Sequence, residues 1–373
     1  MNRTLVTGST GFIGEQLVRH LINRGDEVTC LVRETSNTSA LEKLRCNIVK
    51  ADIVSNPAGV AAATQGCNTV YHLAAATRAV NSADLIETNL QSMQNILDAC
   101  IQATSNPKLI YVSSVAAHGP NTSDVPHNEN ADFHPVSFYG RSKVACEQLA
   151  RQHAVEIPIS IVRPPIVLGT GDQNGLMLFS LIAKTGWHFV PTFATYNFSM
   201  IHVDDLVIAL TAVADRGKRL VANANENLSQ DQGVYFASTD TMTYSILGRK
   251  VGEALGRKRT RVLRVAKPCM WVIAAFNELK GRVLSTPQYL NFDKYNEATA
   301  GSWACSNEKI KAETGFVPAT TFQERLKQTV DWYQNEGWLD RQNFHQTSES
   351  DPQNHSHQSV SYTHLTLPTI YSV

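Results

Sequence analysis

Apolar and polar positions in the first half of the chain alternate between two periods. Short apolar runs at residues 4–6, 27–32, 70–73 and 109–112 have the length of strands, and the stretches between them, notably 14–23 and 90–103, repeat apolar residues at helical spacing. This alternation predicts βαβ units and a parallel sheet. Residues 157–167, interrupted by Pro158 and by Pro164-Pro165, predict a further strand and then a forced exit from the sheet, because proline has no N–H to give to a ladder. Beyond Gly169 the pattern changes. Residues 169–195 are rich in turns and aromatics, 198–213 pass from strand to helix, 233–238 have a strand pattern, and helices are expected over 244–255, 267–279 and 322–335.

The expected fold class is therefore α/β: a doubly wound parallel-sheet domain with a smaller, mostly helical C-terminal lobe for substrate. The sheet domain should span 1–168 and take back segments at about 196–240, leaving 169–195 and 241–339 for the lobe. Residues 340–359 are almost entirely polar and are expected to be disordered, since they cannot bury enough apolar surface to offset ordering entropy. The last segment, VSYTHLTLPTIYSV at 360–373, back-translates over its first ten residues into a common transposase sequencing adapter, and reads as an artefact without functional weight.

Charge and cysteine usage remove several classes. Lys+Arg and Asp+Glu both number 33, so the whole chain offers no electrostatic reason to expect nucleic acid or an anionic membrane as a partner. The seven cysteines are scattered and include no Cys-x-x-Cys pair, which argues against a disulfide framework and against structural zinc. Neither a leader pattern before Thr4 nor an apolar window of membrane-spanning length is present, and a cytoplasmic protein without stable membrane insertion is expected.

Candidate chemistry begins at the first strand. Gly8, Thr10, Gly11, Phe12, Ile13 and Gly14 stand in T-G-S-T-G-F-I-G, after a strand and before an amphipathic helix, where small residues let the backbone approach a pyrophosphate and the helix N-terminus faces it. The second strand ends at Arg33 rather than at an acid, which favours a ribose 2′-phosphate and hence NADP(H), with NAD(H) left open by Glu34. Asp52 is the candidate for the adenine amino group, or else an ordinary helix cap. Ser114 follows the strand at 109–112, and Tyr139 precedes Lys143 by four residues, one helical turn. On one helix face, the ammonium would lie beside the phenol and favour its anion, so that Tyr139 exchanges a proton with a substrate oxygen held by Ser114.

These motifs, with Asp52-Ile53, H-L-A-A at 72–75, Asn89, S-S-V at 113–115, R-P-P-I-V-L-G at 163–169 and I-H-V-D-D at 201–205, resemble the extended short-chain dehydrogenase/reductase (NAD(P)-dependent epimerase/dehydratase) family over residues 1 to about 338. The resemblance implies a Rossmann-type domain, Ser114 as the catalytic member of its pair, Asn89 as a prop of the site, and Ile53, Leu73, Ala74, Ala75, Pro165, Ile166 and Val167 along the dinucleotide. It is similar in character to the dihydroflavonol reductase and 3β-hydroxysteroid dehydrogenase branches. Three departures matter. Val115-Ala116 stand where sugar-nucleotide dehydratases of the family carry an Asp-Glu pair, His118 stands where a tyrosine often closes the S-S-x-x-x-Y-G stretch, and Arg33 replaces the acid of NAD-retaining epimerases.

The expected activity is interconversion of a ketone and a secondary alcohol on a mid-sized, largely apolar substrate. The alternatives are an NAD-retaining sugar-nucleotide epimerase and a catalytically idle dinucleotide-binding scaffold. Phe179, Trp187, Phe189, Phe193 and Tyr196 are expected to roof the pocket. Arg257, Lys258, Arg259, Arg261, Arg264 and Lys267 precede an apolar helix start, and read as a solvated basic strand leading into a core helix or as a membrane-surface contact. His202, Asp204 and Asp205 match a metal triplet only by type, and no metal is expected. A small-molecule substrate and no nucleic acid are the expected partners, with a homodimer left open.

Overall fold

A computed structural model describes residues 2–77, 82–121, 125–221, 231–284 and 291–340; the tail readings beyond Asp340 lie outside them. The chain winds β1 (Arg3–Thr7), α1 (Phe12–Asn23), β2 (Glu27–Val32), the single turn α2 (Ser39–Glu42) and β3 (Asn47–Lys50). It continues through α3 (Pro57–Thr64), β4 (Thr69–His72), α4 (Ser82–Gln102), β5 (Lys108–Val112), α5 (Phe138–Gln152) and β6 (Ile159–Arg163). With β10 (Val234–Phe236), these strands form a seven-stranded sheet in the order β10-β6-β5-β4-β1-β2-β3, parallel at every pairing. The strand order reverses at β1, which pairs with β2 on one side (Leu5 opposite Thr29) and β4 on the other (Leu5 opposite Val70). Crossovers on either side of that point leave a crevice beyond the strand carboxyl ends.

Alternation along the strands feeds two cores. Val6, Val28 and Ile110 meet Leu17 and Leu21 of α1 and, later in the chain, Val207 and Leu210. On the other face Leu5, Val70 and Leu109 meet Met93 and Leu97 of α4 and Cys146 of α5. A sheet buried on both faces needs apolar side chains at successive positions, which is why its strands read as short continuous runs.

Pro164-Pro165 ends pairing to β5, and the chain re-forms as β7 (Ile166–Leu168) in a second sheet. There follow α6 (Gln173–Thr185), β8 (Trp187–Pro191), β9 (Asn197–His202), α7 (Val203–Arg216), β11 (Asp240–Thr243), α8 (Tyr244–Ala254) and β12 (Arg261–Val265). The last helices are α9 (Lys267–Leu284), α10 (Phe292–Ala300), α11 (Glu308–Thr314) and α12 (Phe322–Asn335). The C-terminal part is helical as expected, but it also contains the small sheets β11-β9-β7 and β12-β8. Residues 187–191 and 240–243 gave no strand signal because the first, W-H-F-V-P, ends in a proline and the second, D-T-M-T, carries one apolar residue.

The I-H-V-D-D run is an anchor. His202 caps α7, its Nδ1 accepting from Asp204 N at 3.2 Å, while Arg325 of α12 donates to both Asp205 oxygens (2.7 and 3.1 Å) and to Asp204 (3.0 Å). This ties the last helix to the end of the sheet domain. Among the described residues no group of His, Cys, Asp and Glu is arranged to hold a metal ion.

Candidate active site

The glycine turn lies at the reversal point. Gly8 has φ +70°, and a Cβ there would meet Ala74 N at 2.8 Å; a Cβ on Gly14 would meet Gly8 O at 2.1 Å. Neither position accepts a side chain. Gly11 is the N-cap of α1 without any side-chain cap, and Thr10 and Gly11 are exposed, so the first N–H groups of the helix face an open cradle. The cradle is held to the next strand by Thr7, whose Oγ1 lies 2.8 Å from His72 Nδ1 and accepts from Ala74 N at 3.2 Å. Leu73 and Ala74 therefore stand directly against the turn, with Ala75 next in the chain. These features fit a pyrophosphate, which needs close backbone approach and a helix N-terminus.

Arg33 is exposed beyond β2, and Asp52 lies near enough after β3 to feel its charge. Asp52 Oδ1 accepts from Val54 N and Ser55 N, both at 2.9 Å, and the hydrogen bond from Ser55 leads in holding its carboxyl below the ordinary range. It closes its own turn, whereas the cap of α3 is Asn56. Pro165 is buried at the far side of the crevice, where Val115 N donates to Pro164 O at 3.0 Å and so fixes the chain entering Ile166 and Val167.

The other named residues converge at the end of β5. Ser114 caps a short 3-10 turn, Val115–Ala117, and accepts from Ala116 N at 3.1 Å. Tyr139 and Lys143 occupy the first two turns of α5, both fully buried. Burial raises the Tyr139 phenol well above its ordinary 10, the charge of Glu297 adds to this, and a hydrogen bond with the Ser114 side chain opposes both. Burial lowers Lys143 to about 8, against the nearby Cys146 and Glu147; its Nζ donates to Val112 O at 2.9 Å and lies 5.6 Å from the Tyr139 ring centre. Asn89 spans two elements: Oδ1 accepts from Ala76 N (2.7 Å), and Nδ2 donates to Ala76 O (3.0 Å) and Ser142 Oγ (2.9 Å). It thereby locks the loop after β4 to the helix carrying Tyr139 and Lys143.

Two parts of the site were not read in the sequence. Beneath Ser114, Ser113 Oγ donates to Glu147 at 2.5 Å, and Arg163 binds Glu147 with Nε at 2.8 Å and its Nη2 on the second oxygen. Arg163 Nη1 also meets His118 Nε2 at 2.5 Å. Since arginine only donates, Nε2 accepts and Nδ1 keeps the proton, which points to Asp132 O at 3.3 Å. Burial, then Arg163, lowers His118 to about 3, so the ring is neutral and belongs to this buried network. The signals were Arg163, the one charged residue of a buried strand, and His118, already noted as a departure. The second part is α10, where Asp293 accepts from Phe138 N at 2.9 Å. There Glu297, 3% exposed, holds Lys294 at 2.7 Å through Oε2 and leaves Oε1 buried without a partner. The five aromatics do not form one wall: Phe179 packs edge-on to Tyr333 in the core, Trp187 lies under Arg261, and Phe193 is 67% exposed.

A parallel sheet reversing at β1, with a glycine cradle at that point, defines a dinucleotide-binding α/β enzyme. The chain belongs to the NAD dependent epimerase/dehydratase family, whose model matches residues 4–228, and is an NAD(P)-dependent oxidoreductase of the extended short-chain type. It is 27% identical to a ceramide reductase of Caulobacter vibrioides over 339 residues, covering 90% of this chain and 95% of that one. To a putative dihydroflavonol 4-reductase of Synechocystis it is 26% identical over 344 residues, covering 90% and 96%. Its fold is similar to that of UDP-glucose 4-epimerase from Thermotoga maritima (TM-score 0.69, 21% identity, 90% and 99% covered).

Proposed function

We propose that the protein is an NADP(H)-dependent oxidoreductase that interconverts a ketone and a secondary alcohol on a mid-sized, largely apolar substrate. The observation that carries this reading is the convergence of Ser114, Tyr139 and Lys143 in one buried site beside the glycine cradle. A bound nicotinamide supplies the hydride in reduction and accepts it in oxidation. Gly8, Thr10, Gly11, Phe12, Ile13 and Gly14 would hold the pyrophosphate, Arg33 the 2′-phosphate, and Ile53, Leu73–Ala75 and Pro165–Val167 the flanks of the dinucleotide, with Asp52 beside the adenine. Ser114 holds the substrate oxygen, Tyr139 gives it a proton in reduction, and Lys143 favours the resulting phenolate by its charge. Asn89 keeps these groups in register. Val115 and Ala116 offer no acid or base for eliminating water, which argues against a dehydratase. An apolar substrate is in line with the relatives named as ceramide and dihydroflavonol reductases.

Cofactor choice tests this against an NAD-retaining epimerase. A charge-assisted contact to the 2′-phosphate is worth about 1.5–3 kcal/mol, or roughly 10- to 150-fold in affinity. Arg33→Asp should weaken NADPH binding by at least that factor and leave NADH binding unchanged or better, measured as dissociation constants at fixed ionic strength. Wild type that purifies with tightly held NAD, or a variant that loses both cofactors equally, overturns the NADP(H) reading.

Glu297 gives a pH signature. Its charge helps to raise the Tyr139 phenol, so Glu297→Gln should lower that value and move the rising alkaline limb of alcohol oxidation to lower pH. An unmoved pH profile of kcat would separate Glu297 from the proton transfer.

A further inference from the structure

Helix α9 does not behave as a core helix. Its inner side buries Met270 and Ala274, Met270 joining the cluster that includes Tyr139. Its outer side carries Pro268, Val272, Phe276 and Leu279, spaced 4, 4 and 3 residues apart and so aligned on one face. Val272, Phe276 and Leu279 are 60%, 68% and 62% exposed, and Trp271 on the flank is 50% exposed. Most chains expose large apolar residues singly; a continuous stripe marks a contact surface.

What covers the stripe is indicated by charge. Residues 257–267 carry Arg257, Lys258, Arg259, Arg261, Arg264 and Lys267, and no acidic residue occurs from 257 to 277 in a chain whose total charge is zero. Arg249, Arg257, Lys258, Arg259 and Arg261, with Glu253 as the one acid, line an open cleft of about 590 Å³. The five residues of β12 run from this cleft almost directly into α9, with Arg261 and Leu263 exposed in alternation. A second copy matches poorly, because a two-fold contact repeats the same patch, where the six cations of residues 257–267 would meet only Glu253 and Glu278 as acids.

We propose that β12 and α9 dock the protein on an anionic bilayer surface. The α9 stripe lies in the interface between headgroups and acyl chains, and the basic run and its cleft bind lipid phosphates. No helix among the described residues is long and apolar enough to cross a membrane, so the contact is peripheral. The proposal is independent of the chemistry assigned to Tyr139. It also sets the inner face of α9 against the catalytic core while the outer face meets lipid, a placement suited to collecting an apolar substrate.

The test is co-sedimentation of the full chain with phosphatidylcholine vesicles, with and without phosphatidylglycerol, at low and high salt. Binding is expected only with phosphatidylglycerol, weakened by salt, and accompanied by a blue shift in fluorescence that Trp271→Phe diminishes. At about fivefold per exposed cation, Lys258→Gln/Arg259→Gln/Arg261→Gln should lower partitioning roughly 100-fold. Phe276→Ser/Leu279→Ser should also release the protein from vesicles while preserving NADPH binding, which shows that the variant is folded. Absence of binding to anionic vesicles overturns the proposal, as does binding that neither set of substitutions weakens. Binding to inorganic phosphate without vesicle binding would reduce the cleft to an anion site. A wild-type dimer that Phe276→Ser/Leu279→Ser makes monomeric, without vesicle binding, would assign the stripe to a second copy.

Discussion

Tyr139→Phe is expected to lower single-turnover reduction by about 10²- to 10⁴-fold, the usual contribution of a positioned general acid. NADPH affinity should stay nearly constant, because the change removes one oxygen that hydrogen-bonds Ser114 and leaves the glycine cradle alone. The ring is fully buried, so phenylalanine keeps its packing, and the melting temperature should move little. Stopped-flow reduction and a fluorescence titration of NADPH decide the matter. Undiminished turnover removes the proposed proton donor, and lost cofactor binding would mean that Tyr139 shapes the cradle instead.

Arg163→Met is expected to cost about 3–5 kcal/mol of stability, because it strands the Glu147 carboxylate in a site with 0% side-chain exposure. The sign of the pH dependence should also reverse. Burial alone would raise Glu147, but the Arg163 charge and hydrogen bond, with Ser113 and His118, hold it below its ordinary 4.5. In wild type this stabilisation is present above pH 4.5 and lost as pH falls through the lowered value. Without Arg163, burial dominates and raises the carboxyl, so the contribution is present below the unfolded value and lost as pH rises through the new one. Urea unfolding of both proteins from about pH 3 to about pH 7 reads the two slopes, that of the wild type below 4.5 and that of the variant above it. A loss under about 1 kcal/mol, or slopes of the same sign, would show that the network is solvated or redundant.

The sequence by itself determined the parts of this protein whose physics is local. A glycine that must take φ +70°, a tyrosine and a lysine one helical turn apart, a proline pair that ends a strand: each is a constraint between near neighbours, and each is visible as spacing. The parallel sheet was legible for a related reason, since strands buried on both faces must be apolar throughout. Tertiary structure alone decided which residues surround those motifs. Glu147, Arg163 and His118 lie on three separate segments, so nothing in their spacing announces that one buried charge requires the other two. Glu297 comes from an element more than 150 residues beyond Tyr139, and only the docking of α10 brings its charge to the phenol. The stripe on α9 has the pattern of a core helix, because periodicity records that a face is apolar but not whether the fold supplies something to cover it.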